Sequence, residues 1–109
     1  MFWKRITELA TKLTRRGSLK FGAAYAAEAG YFAGQLFVFV EKNTEGEYGF
    51  LRIPDMQNEF VTKEKFDFAV SNGILVYVET LPRFVRNTTK LKFKENLKNE
   101  APSRIADTD

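Results

Sequence analysis

Residues 21–42, FGAAYAAEAGYFAGQLFVFVEK, decide the fold, because up to residue 40 the run carries a single charge, Glu28. Such a run can cross a membrane, form one buried helix, or change structure partway. Its first half is mostly Ala and Gly, and Glu28 stands near its middle, where a carboxylate costs about 3 kcal/mol on insertion scales. A membrane span is therefore not expected. Gly22, Ala26, Gly30 and Gly34 recur every four residues, which on a helix makes a narrow face for close backbone packing. Residues 21–34 accordingly predict a close-packing helix or a turn-rich connection. QLFVFVEK, residues 35–42, is dense in aromatic and β-branched side chains that favour a pleated surface. The run changes language near Gly34 and Gln35, and the second half starts an antiparallel sheet.

Working outward, NTEGEYGFLRIP supplies a turn over Asn43 to Gly46 and a second strand from Glu47 to Ile53, closed by Pro54. This reads as a hairpin over residues 35–53. An irregular connection follows. Thr62, with Glu64 in the next turn, then opens a helix over residues 63–72. Beyond Ser71 two signals conflict. Phe66, Ala69, Val70, Gly73, Ile74, Tyr77, Val78 and Leu81 keep a helical stripe, whereas Asn72-Gly73 followed by ILVYVET reads as a break and a buried strand. The stripe narrowly favours continuing the helix to Leu81, before Pro82.

Past Pro82, Leu91 and Phe93 alternate with Lys90, Lys92 and Lys94, which predicts a strand near residues 88–94 with one packed and one wet, basic face. At the other end of the chain, Phe2, Trp3, Ile6, Leu9, Ala10 and Leu13 form an apolar stripe at helical spacing, so residues 2–16 predict an amphipathic helix. The expected architecture is α+β. It is a small single domain over residues 1–94, with the hairpin 35–53 and the strand near 88–94 packed against two or three helices. Residues 95–109 form a polar C-terminal tail.

Composition narrows the chemistry. The 109 residues include eleven Phe, four Tyr and one Trp, enough aromatic bulk to fill a small core and to anchor an interface. Cysteine and histidine are absent. Disulfides, thiolate metal sites and catalytic arrangements built on imidazole are thereby excluded. Glu41, Glu45, Glu47, Asp55 and Glu59 lack the oxygen-ligand spacing of a calcium loop, and the glycines form no phosphate-binding signature. No catalytic, cofactor or metal site is expected.

Charge is segregated more than its net value of +3 suggests. Residues 1–20 carry +5, residues 21–82 carry −5 and residues 83–109 carry +3. The candidate binding surface is the basic set Lys4, Arg5, Lys12, Arg15, Arg16 and Lys20 with Trp3, joined by Arg83, Arg86, Lys90, Lys92 and Lys94. Two charge poles and abundant aromatics point first to a cytoplasmic, non-enzymatic protein-interaction or regulatory protein, with a homodimer compatible with the poles. The alternative is nucleic-acid binding through the basic N-terminal helix and the basic C-terminal strand, although no recognisable nucleic-acid motif supports it. Association of the N-terminal helix with a membrane surface ranks behind both, and stable membrane insertion is not expected.

Overall fold

The computed structural model describes residues 19–108, and side chains as far as Asn99. The predicted helix 2–16 lies outside the described residues. The elements run β1 (Ala23–Ala27), β2 (Leu36–Lys42), β3 (Tyr48–Ile53), β4 (Gln57–Val61), α1 (Lys63–Ser71), β5 (Leu75–Thr80) and α2 (Arg83–Thr108). The strands form one antiparallel sheet in the order β4-β3-β2-β1-β5. An α+β domain with an antiparallel sheet and two helices is what the described residues contain, and its strands differ from those expected in four places.

The hairpin 35–53 is present as β2 and β3. Its turn is held by the Asn43 side chain, whose Oδ1 accepts the N–H groups of Glu45 at 3.0 Å and Glu47 at 2.9 Å. An Asn that bonds the backbone ahead of it is a local reason for the chain to reverse there.

The first correction concerns residues 21–34, which contain no helix. Gly22, Gly30 and Gly34 have φ of +91°, +86° and +90°, values foreign to a right-handed helix. Between the first two, the chain extends as β1, paired with β2 on one side and β5 on the other. Alanine is a poor strand former, but this strand is interior and its neighbours supply the bulk. Tyr25 meets Phe66 at 5.2 Å and Tyr77 at 5.6 Å between ring centroids.

The second correction adds β4. Residues 57–61, expected as irregular connection, pair with β3 from Tyr48↔Val61 to Arg52↔Gln57. The third settles the conflict after Ser71 in favour of propensity. The Asn72 side chain donates to Phe68 O at 2.8 Å, Gly73 takes φ +72°, and LVYVET, residues 75–80, continues as β5. Helix α1 itself starts where expected, with Thr62 Oγ1 accepting the Lys65 N–H at 3.2 Å. Its exposed Lys63 donates to Asp67 at 2.9 Å, a hydrogen bond reinforced by charge that raises the lysine pKa.

The expected strand near 88–94 is part of α2 instead, which begins after Pro82, whose carbonyl accepts the Arg86 N–H at 2.9 Å. KLKFK alternates over only a few residues, whereas Arg86, Thr89, Phe93 and Leu97 keep a helical stripe that is partly or fully buried. Residues 95–108, expected as a polar tail, continue the helix.

The two helices lie over opposite faces of the sheet. Beneath α1, Tyr25, Phe37, Phe39, Phe50 and Leu75 pack with Phe66 and Val70. On the other face α2 crosses β2, β3 and β4. There Phe93 is fully buried and reaches Phe60 at 5.8 Å, while Asn58 Nδ2 donates to Phe93 O at 3.0 Å. The Asn96 side chain donates to Met56 O and Asn58 Oδ1, each at 2.9 Å, which ties α2 to the β4 edge.

Candidate interaction surface on α2

Because α2 is a helix, the basic residues of the candidate surface group differently from a strand's alternation. With 3.6 residues per turn, Arg83, Arg86, Lys90 and Lys94 share one side, and Lys92 projects from the opposite one. The expected single basic face with Lys90, Lys92 and Lys94 side by side is therefore not formed. Trp3, Lys4, Arg5, Lys12, Arg15 and Arg16 lie outside the described residues. Lys20 is exposed on the segment that enters β1.

The neighbours of these cations differ. Lys94 pairs with Glu41 of β2, and Lys92 sits 3.5 Å from Glu95. Arg86 and Lys90 both lie over the Phe21 ring, at 5.8 and 5.7 Å from its centroid. Such contacts hold a cation near an aromatic face while leaving its charge uncompensated. Among the described residues, no carboxylate pairs with Arg83, Lys90 or Lys98.

Beside that row stand two side chains not assigned to the surface from sequence. Phe84 is 82% exposed and Leu91 is 71% exposed. Seven residues apart on one helix, they lie one above the other about 10 Å apart along the axis. The alternation in KLKFK pairs Leu91 with Phe93 on a packed face, whereas the helix buries Phe93 and turns Leu91 outward. Helical spacing applied to residues 83–97 is the signal that separates them, because the stripe through Thr89, Phe93 and Leu97 excludes Phe84 and Leu91. Large apolar side chains exposed together next to charge mark contact surfaces more often than stray single exposures do.

The carboxylates weighed as cation ligands are dispersed. Glu41 is held by Lys94; Asp55 and Glu59 are held by Arg52; Glu47 accepts from the Asn43 side chain at 3.1 Å. Among the described residues no group of three or more acidic, His or Cys side chains is placed to hold a metal ion, and no helix is long and apolar enough to cross a membrane. No protein-family model matches the chain, and neither does any curated protein or solved structure.

Proposed function

We propose that the protein is a non-enzymatic interaction or regulatory protein, and that the outer face of α2 is its contact surface. The carrying observation is the exposure of Phe84 and Leu91 beside Arg83 and Lys90, which have no carboxylate partner among the described residues. Burying two large apolar side chains is the part of the surface that rewards a protein partner over bulk solvent. The absence of cysteine accords with a reducing cytoplasm. A second copy of the chain is one partner this reading admits.

The α2 cations Arg83, Lys90 and Lys98 also favour a second reading, in which the same helix meets nucleic-acid phosphates. Affinity capture from native extract separates the two, using the full chain and its Phe84→Ser/Leu91→Ser variant, with nuclease treatment of the recovered material. The interaction reading expects a stoichiometric protein that survives nuclease and is lost from the variant. Capture that depends on nucleic acid supports the second reading. A monomeric sample with no stoichiometric partner contradicts the first.

A further inference from the structure

We infer that the partner presents an acidic amphipathic helix, which lies along α2 with its apolar side chains on Phe84 and Leu91 and its carboxylates on Arg83 and Lys90. The inference rests on the reading of α2 as the contact surface and adds the chemistry of what binds there.

Three observations select this occupant. Phe84 and Leu91 are two helical turns apart, so a second helix alongside can meet both with side chains at its own i and i+7 positions. The exposed apolar pair is bordered on one side by Arg83 and Lys90, cations without carboxylate partners among the described residues. On its other side stand exposed Thr88 and Glu95, the latter 60% exposed and close to Lys92. Cations on one flank, set against the Lys92–Glu95 pair on the other, fix both the charge and the orientation of an elongated partner.

The same asymmetry disfavours the other anionic occupants. A planar anionic membrane would meet Glu95 as well as the cations, and interfacial helices carry their basic residues around the apolar face rather than along one border of it. A nucleic-acid strand would neutralise the cations but leave Leu91, which has no π face for a base to stack on, without a use. An acidic helix uses both parts of the surface. With few anchors, the contact belongs to the class of small, transient interfaces.

The test uses the full chain and a synthetic amphipathic peptide of about 20 residues, long enough to be helical. The peptide carries leucines at i, i+4 and i+7 and glutamates along one flank. Control peptides replace the glutamates with lysine or the leucines with serine. A single-stranded oligonucleotide and phosphatidylserine-phosphatidylcholine vesicles complete the set.

Binding is followed by NMR amide shifts and by anisotropy of labelled peptide or oligonucleotide, with co-sedimentation for vesicles. The acidic leucine peptide is expected to bind with its largest shifts around Phe84 and Leu91. Either control peptide should bind about tenfold more weakly, and so should the acidic peptide on Arg83→Glu/Lys90→Glu. Equal binding of the serine peptide, shifts centred elsewhere, no binding, or preference for oligonucleotide or vesicles would overturn the inference.

The captured native partner distinguishes this failure from failure of the underlying reading. Loss with Phe84→Ser/Leu91→Ser but retention with Arg83→Glu/Lys90→Glu keeps the contact surface and rejects the acidic helix. Retention with both variants rejects the surface itself.

Discussion

The Phe93 ring occupies the space that a side chain on Gly49 would need: a Cβ at Gly49 would come within 2.7 Å of Phe93 Cζ. It would also lie 3.1 Å from the Glu41 carbonyl oxygen and 3.2 Å from Phe60 Cε1. Gly49 is thus the bare patch of β3 on which α2 rests, and the depth of that contact sets how closely the helix approaches the sheet.

Gly49→Ala is expected to destabilise the fold by about 1–3 kcal/mol, the usual cost of overpacking a filled site. The gain in strand propensity does not offset this, because the added methyl meets backbone as well as ring. Chemical denaturation reads the change. Combining it with Phe93→Leu, which shortens the ring, should destabilise by less than the sum of the two single variants. Additive effects would mean that the two residues do not share this contact.

Phe93 and Leu91 give a second comparison. Phe93→Ala removes a fully buried ring and is expected to cost about 3–5 kcal/mol. Leu91→Ala trims a side chain that is 71% exposed and should stay within about 0.5 kcal/mol of the parent. Large and similar costs at both positions would instead fit the strand alternation, with both side chains on one packed face.

These pairs also show what was legible in the sequence. The hairpin was, because Asn43 and Gly46 mark the turn between dense β-forming segments, and so was the start of α1, because Thr62 caps it. In β1, alanine propensity speaks against a strand, and only the flanking β2 and β5 make one there. In β5 the positions of Ile74, Tyr77, Val78 and Leu81 satisfy a helical period and a strand composition together, so periodicity alone could not decide. For α2, a short alternation outweighed a longer helical stripe. The cations of the candidate surface were legible as residue types, but their grouping waits on the helix. Phe84 and Leu91 were not, since residue type alone does not say which apolar side chains stay outside.

Arg52 offers a test of electrostatics. Its guanidinium lies 4.1 Å over the Phe32 ring, pairs with Glu59 across the β3–β4 ladder, and reaches Asp55 at 3.2 Å. The arginine side chain is only 11% exposed, and Glu59 at 29% is less exposed than Asp55 at 49%. Glu59→Ala should therefore cost about 1–3 kcal/mol, because it removes a charged partner from a largely buried cation. Asp55→Ala should cost under about 1 kcal/mol, as an exposed pair does. Denaturation of the two variants at neutral pH checks the order. A larger loss at Asp55 would place the main counter-charge on the wrong residue.

Gly22 and Gly30 separate backbone strain from packing. Both have positive φ, +91° and +86°, so an alanine at either position is held in a conformation that costs about 1–2 kcal/mol. Around Gly30 a Cβ meets nothing within 4 Å, so Gly30→Ala should show the backbone cost alone. At Gly22 the same atom would lie 2.8 Å from Arg86 Cδ and 3.0 Å from Arg86 Cβ. The Arg86 Cδ can swing away, but its Cβ is fixed to α2, so the helix itself must yield. Gly22 also donates to Phe39 O and accepts from the Leu81 N–H, each at 2.9 Å, so its backbone has little freedom to follow. Gly22→Ala is therefore expected to lose more stability than Gly30→Ala. Shortening residue 86 in the Gly22→Ala background should leave the Cβ contact in place and recover only part of the difference. Equal losses at the two glycines would mean that α2 does not press on Gly22 and that only its φ matters.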